Sequence, residues 1–446
     1  MLKYVIMIGK LKFTKDRRKL SFAITLIPIV LLAGLIFVKS VNVPYWDQWE
    51  FVPTIQHIKS GHFYFQDFWQ QQNEHRLLFA RLIMIGSALM TKWNIRVESL
   101  ISFVIACGSF VILIKAVDAT QKKLKYKFLF ILPILLSLIW FSPVQDENWL
   151  WGWQIPWFLN VLGVVIAILA ITRIKNKNLS YPNLLLLIGG ATIALYSLSN
   201  GVLIWLILIA ALLYERIPAK KTFIATITGV ITSGLYYYHY KDPSSSADRA
   251  LVLKEPVLFV KYLLTYLGRP LSFVHVLTPT LGFVLLIIFA SLALYTLIKE
   301  RTIFSGILPW VALGLYALGS AILTTIGRMN LGLNQAYSSR YSTISTLFLV
   351  AVIMMCIQCR PVFKSFLAKR LKPVTALATV LVFLLVMINF GWGVGNASQR
   401  NQFLRNGQQC TRAANPSDTC LAILYPYSNI IRQRITYLKH IHWAGY

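Results

Sequence analysis

YWDQWEFVPTIQHIKSGHFYFQDFWQQQNEHR, residues 45–76, follows directly on the first long apolar run of the chain. It sets four carboxylates (Asp47, Glu50, Asp67, Glu74), three histidines and Arg76 among tryptophans, tyrosines and phenylalanines. A membrane span does not hold so many charges, and an ordinary solvated loop has few aromatic rings. Acid, base and ring together suit an active-site loop lying at a membrane–water boundary.

Around that stretch the chain reads as membrane protein. Of 446 residues 57% are apolar and 13% charged. Apolar windows of about 18 residues recur, which predicts an all-α, polytopic membrane protein. The net charge of +29 would suggest nucleic acid as partner of a soluble protein. In a membrane protein it predicts instead cytoplasmic Lys and Arg, with some basic groups aimed at an anionic lipid or substrate.

Charge fixes the expected topology. Lys3, Lys10, Lys12, Lys15, Arg17, Arg18 and Lys19 precede the first span, placed at 21–39 and uncleaved, so the amino terminus is expected inside and 40–96 outside. The apolar stretch 77–90 is short and contains Arg81. Were it a crossing, Lys122, Lys123, Lys125 and Lys127 would fall outside, so it is placed along the outer interface. The remaining spans are expected at 97–117, 128–141, 155–172, 183–198, 202–214, 222–238, 279–298, 304–326, 342–358 and 374–392. That makes eleven, with outer loops at 40–96, 142–154, 239–276 and 327–341, a transmembrane domain over 1–392 and an outer tail over 393–446. The inner segments then hold 24 of the 44 Lys and Arg but only Asp16, Asp118, Glu215 and Glu300 of the 15 acids. They are short and carry no Walker loop or G-x-G-x-x-G turn, which excludes a cytoplasmic nucleotide-binding domain.

The polar chemistry therefore lies on the outer face. Asp47 and Glu50 share one face of a short amphipathic helix. In a partly dry, aromatic-walled site either is a candidate general base, and a cap or salt bridge is the structural alternative. Arg76 at a helix start runs against the dipole and suits a phosphate or carboxylate clamp, with His75 beside it and Glu74 expected to contact the sugar or acceptor. Glu147, Asn148, Trp151 and Gln154 resemble the rings and amides that hold a sugar, although alternating tryptophans also make an interfacial girdle. Asn200 in Ser199-Asn200-Gly201 is a sugar contact or a helix-ending turn. In 327–341, Arg328, Arg340 and Tyr341 sit with hydroxyls and amides. Positive-inside pressure cannot explain those arginines; anion binding or snorkelling to headgroups can. Lys241, Arg249, Lys254, Lys261 and Arg269 would extend a basic lip toward the bilayer.

An acidic residue just beyond span 1, an interfacial helix with a polar start, and W-N-I-R-V-E (93–98) leading into span 2 resemble the GT-C class of membrane glycosyltransferases. P-Y-W-D-Q-W-E-F-V-P, N-E-H-R, S-N-G and S-S-R-Y look like a bacterial branch of that class. Protein mannosyltransferases and lipid A aminoarabinose transferase are its better-known members. The likeness spans most of the chain in topology, but its motifs cover only about 60 residues. It implies a GT-C-like fold in the bacterial inner membrane, a polyprenyl-phosphate sugar as donor, and a glycan, lipid or protein as acceptor. Asp47 takes the place of the first-loop catalytic acid and Glu50 is its competitor. His75, Arg76, Arg328, Arg340 and Tyr341 serve the donor phosphate. The tandem Asp-Glu of some members is spread here to Asp47-x-x-Glu50, and Glu74-His75-Arg76 replaces their Pro-Pro motif.

The expected chemistry has Asp47 take the proton of an acceptor hydroxyl, which attacks the anomeric carbon in line while arginines, and a protonated His75, receive the leaving phosphate. A divalent metal bridging carboxylate and phosphate is compatible with this, but no ligand cluster demands one. A lipid-linked oligosaccharide polymerase or ligase would use the same face. A transporter would need internal repeats and polar residues at bilayer depth, and spans 3, 5, 8 and 10 are almost wholly apolar. Cys356-x-x-Cys359 lacks a second ligand pair for zinc. The tail is too short for a catalytic domain; Cys410 and Cys420 would staple it as a lid if it lies outside.

Overall fold

In the computed structural model, residues 2–123, 131–242, 250–359 and 368–446 are described. Lys125, Lys127 and Arg249, assigned above to an inner loop and the basic lip, lie outside them, as do Arg360 and Lys364 of the inner loop expected between 358 and 374. The chain is all-α apart from a ribbon in which Gln71–Gln72 pairs antiparallel with His75–Arg76.

The helices follow in order. After α1 (Leu2–Lys39) come the short α2 (Val52–Lys59) and α3 (Gln66–Trp69), then α4 (Leu78–Thr91), α5 (Ile95–Lys123) and α6 (Ile131–Trp140). Next are α7 (Asp146–Leu150), α8 (Ile155–Thr172), α9 (Tyr181–Leu195), α10 (Val202–Tyr214) and α11 (Ala219–Tyr237). α12 (Leu251–Lys254) and α13 (Pro256–Gly268) lead to α14 (Leu277–Lys299), α15 (Arg301–Arg328) and α16 (Ser342–Gln358). The chain closes with α17 (Ala368–Arg412), α18 (Asp418–Leu421) and α19 (Ser428–Ile441).

Among the described residues seven segments, in α1, α5, α8, α14, α15, α16 and α17, are long and apolar enough to cross a membrane. The protein is a multi-pass membrane protein. α8 and α16, each 83% buried, and α15, 72% buried, make the centre, while α1 and α14, at 28%, turn most of their apolar surface outward. Phe283, Val284, Ile287 and Leu294 are among the exposed side chains of α14. An outward face of that composition is stable against lipid, not water.

Shorter helices also join the two ends of the bundle. At the start of α10, Asn200 Nδ2 donates to Ser320 Oγ at 2.9 Å; at its finish, Ser305 donates to Glu215. α10 thus runs antiparallel beside α15. α8 and α9 form a hairpin so close that a Cβ on Gly163 would run into the Gly190 carbonyl. α11 leaves the end where Lys221 Nζ reaches the Leu179 carbonyl at 2.8 Å and finishes where Tyr236 meets Arg76.

α4 does otherwise. Near its start Arg81 donates to the Asp67 carbonyl at 3.1 Å. Just beyond its end the Lys92 carbonyl accepts from Ala444 at 2.9 Å, and Trp93 donates to Glu98, which also accepts from Gln48. Both ends are tied to one polar layer, so this 14-residue helix, about 21 Å long, lies along the bundle end rather than through it. α12 and α13 lie on the same end, packing Tyr262 against Met329 and Ala336.

No helix break marks the expected 392/393 boundary. α17 runs unbroken to Arg412, and the tail folds back as α18 and α19 onto the first polar loop. Cys410 and Cys420 are disulfide-bonded, their Cα atoms 5.6 Å apart.

Candidate functional site

The polar end holds a cavity of about 630 Å³ built from five separate parts of the chain. The turn Trp46–Phe51 brings Asp47, the ribbon brings Glu74 and His75, and the α7–α8 junction brings Glu147, Trp151 and Gln154. Asn200 enters from the α9–α10 turn, and Arg328, Arg340 and Tyr341 from the end of α15 and the start of α16. Leu323, Ile344 and Pro156 supply an apolar floor. Residues up to about 300 positions apart therefore share one hollow.

Its charges are largely paired. Arg328 Nη2 reaches both oxygens of Glu74, at 2.9 and 3.0 Å. Arg340 Nη1 stands 3.8 Å from Glu147, whose other oxygen accepts from Ser338 Oγ at 2.9 Å. Burial would raise the Glu147 carboxyl, but Arg340 and Arg400 outweigh it and hold it low. Among the described residues Asp47 has no such partner. Burial raises its pKa first of all, with Glu50 and Glu74 adding to the rise and Arg340 and Arg328 opposing it. The upward direction is the one that suits a working base.

His75 is corrected in its protonation. Burial lowers it to about 4, so the imidazole is neutral at pH 7. The Ser199 amide donates to Nδ1 at 3.2 Å, so the ring carries its proton on Nε2. It is a neutral donor, not a cation.

Three residues expected to serve the site do not line it. Arg76 is 5% exposed, and its guanidinium donates to the carbonyls of Trp69, Tyr236 and Tyr238 at 2.9, 2.7 and 2.6 Å. These include carbonyls that the end of α11 leaves without helical partners. Arg76 ties a helix end to the ribbon, and the phosphate-clamp role is withdrawn. Arg76→Gln is accordingly expected to cost about 3 kcal/mol of stability, which thermal unfolding in detergent checks. Glu50 points away from the cavity, accepting from Tyr425 and, at 2.9 Å, from Arg434 Nη2. Asn148 Nδ2 donates to the Arg340 carbonyl at 2.8 Å and to Thr343 Oγ1 at 2.6 Å, bracing the arginine's backbone instead of meeting a sugar.

Set against family models, curated proteins and solved structures, the chain matches none. Its function must be read from its own residues.

The remaining expected residues are placed as follows. Trp151 lines the cavity with its indole N–H on the Tyr45 carbonyl at 3.1 Å. Asn200 and Gln154 each present a buried side-chain oxygen without a protein donor, and Tyr341 OH accepts from Gln335 at 3.3 Å. Arg269 is no part of a basic lip: it is 1% exposed, donates to the Tyr337 carbonyl at 3.0 Å and stacks over Trp392 at 4.8 Å. Among the described residues no group of three His, Cys, Asp or Glu side chains is arranged to hold a metal.

Sequence reasoning passed over Arg400, Tyr425 and Arg434. Arg400 stands over the Tyr45 ring at 5.3 Å and acts on both Asp146 and Glu147. Asp146, buried behind the cavity, is raised to about 6 by burial against the pull of Arg400. No spacing pattern couples such distant residues. The only available signal for Arg400 was a lone cation just beyond the last apolar run.

A second groove, about 960 Å³, adjoins the cavity at Asn73. Phe65, Trp69, Leu235 and Tyr238 line it together with Lys241.

Proposed function

We propose that this protein is a membrane glycosyltransferase that moves a sugar from a polyprenyl-phosphate donor to a cell-envelope glycan, lipid or protein acceptor. The observation that carries the reading is the meeting in one hollow of a half-buried carboxylate, Asp47, which has no ion-pair partner among the described residues, with Arg328 and Arg340. Such a pair suits an attacking hydroxyl at one end and a departing phosphate at the other.

Asp47 takes the proton of the acceptor hydroxyl as its oxygen bonds to the anomeric carbon. The bond from that carbon to the phosphate oxygen breaks on the opposite side, inverting the centre. The charge that gathers on the phosphate is met by Arg340 and Arg328, each shifting away from its resident carboxylate. Neutral His75 donates from Nε2 without adding charge. Tryptophan faces and the free oxygens of Gln154 and Asn200 receive the sugar. The aromatic groove beside Asn73 takes the first isoprene units.

The cavity is placed on the extracytoplasmic face of a bacterial inner membrane. Eleven crossings follow if α6, α9, α10 and α11 are counted with the seven long helices, which leaves the amino terminus cytoplasmic. Two features support that orientation. The basic segments around Arg173, Arg216 and Arg301 gather at the end opposite the cavity, and the Cys410–Cys420 pair suits an oxidising compartment. Nucleotide sugars are cytoplasmic, so a site on the outer face must draw its donor from the membrane.

The test is purified full-length protein in lipid vesicles with a panel of polyprenyl-phosphate monosaccharides and a cell-envelope extract as acceptor. Release of lipid phosphate with transfer of the sugar is expected. Consumption only of polyprenyl-diphosphate oligosaccharides would identify a polymerase or ligase. Movement of intact lipid across the vesicle without bond cleavage would identify a transporter.

A further inference from the structure

The Asp47 turn is held from the far end of the chain. The Trp46 amide, at a φ of +48° that a side chain rarely adopts, donates to the Leu424 carbonyl at 2.8 Å. Glu50, three residues beyond Asp47, accepts from both Tyr425 and Arg434. Tyr45 packs edge-on against Phe403 and beneath Arg400 of α17. Further contacts reinforce the arrangement: Gln408 Nε2 donates to the Asn42 carbonyl at 2.9 Å, and Ala444 to that of Lys92. The disulfide closes the hairpin between α17 and the segment bearing Leu424 and Tyr425.

We propose that residues 400–446 are a positioning clamp for Asp47, with Arg434 and Tyr425 acting through Glu50 and the Cys410–Cys420 bond keeping the clamp closed. The clamp rests on the reading of Asp47 as base, but its geometry stands by itself. The backbone on both sides of Asp47 is fixed by tail groups, at Trp46 and at Glu50, and neither Tyr425 nor Arg434 lines the cavity. A strained residue beside a reactive one persists only where its surroundings over-determine it. Burial would raise Glu50, yet its bonds to Arg434 and Tyr425 hold it low and ionised at pH 7, so both contacts are charge-assisted. The tail is therefore not a movable lid. A catalytic group displaced by about 1 Å loses on the order of 10²-fold in rate, so residues far from the substrate would govern turnover.

The experiment uses the full chain in vesicles, with Arg434→Ala, Arg434→Lys, Tyr425→Phe and mild reduction of the disulfide, each measured two ways. Backbone amide exchange over 45–51 reports whether the turn is held; kcat and KM for the active polyprenyl-phosphate sugar report its consequence. Expected are faster exchange over 45–51 with α8 unchanged, and kcat reduced about 10²-fold for Arg434→Ala at unchanged KM, with partial return in Arg434→Lys. Tyr425→Phe removes only a hydroxyl and serves where Arg434→Ala fails to fold. Unchanged exchange over 45–51, or unchanged kcat in a protein that Asp47→Asn inactivates, overturns the clamp. If no panel donor is turned over, the transferase reading falls and exchange alone decides the clamp, faster exchange supporting it.

Discussion

Asp47→Asn reduces transfer by about 10²–10⁴-fold while binding of the donor persists. The amide keeps the size of the carboxylate but cannot accept a proton, so the loss falls on kcat. The pH profile of the native protein gives an independent check. A base works in its ionised form, and burial raises the Asp47 carboxyl above its ordinary value. Activity is therefore full above the raised pKa and falls as pH drops through it, earlier in acid than an exposed aspartate would cause. Glu50 and Glu74 add to that rise. Glu50→Gln removes one of these charges and should move the acid limb to lower pH, although it also loosens the turn. Near-normal turnover by Asp47→Asn in the vesicle assay would remove Asp47 as base.

The second large effect belongs to Arg340. Removing one preorganised donor from a developing anion costs about 10²–10³-fold in kcat, and Arg340→Ala should fall in that range. Arg340 also balances Glu147, so the variant leaves a buried carboxylate short of its cation. Arg340→Ala/Glu147→Gln relieves that imbalance without restoring the phosphate contact. The double variant should therefore regain stability but not activity. Losses confined to acceptor KM, or activity recovered by the double variant, would assign Arg340 to the frame of the site rather than to its chemistry.

Much of this arrangement was legible in the sequence because charge is costly near lipid. Asp47, Glu74, Glu147, Arg328 and Arg340 stand out among aromatic and apolar neighbours, and the structure gathers all five at one cavity. The course of α4 along the bundle end agrees with the expectation drawn from Arg81 and the lysines that follow.

What failed depended on partners that spacing does not reveal. Arg76 looks like an anion clamp until the end of α11 exposes carbonyls to it. Glu50 looks equivalent to Asp47 until a turn sends one into the cavity and the other toward a helix nearly 400 residues later. His75 reads as a cation in sequence and is neutral once buried. The central helices carry more polar groups than their hydropathy suggested. Tyr316 donates to Asn160 at 2.5 Å inside the bundle, and Ser320 links that pair to Asn200 at the cavity. Tyr316, Asn160 and Ser320 are each satisfied locally, in keeping with the cost of a stranded polar atom in lipid.

The whole account depends on which way the cavity faces, because only an outward site is forced to use a lipid-linked donor. Leu331 is an exposed residue at the cavity. A single cysteine placed there as Leu331→Cys, with Cys107, Cys356 and Cys359 changed to alanine, measures the facing directly in intact cells with a membrane-impermeant maleimide. Labelling without permeabilisation is predicted. Labelling that appears only after the membrane is opened would put the cavity on the cytoplasmic side and contradict the account.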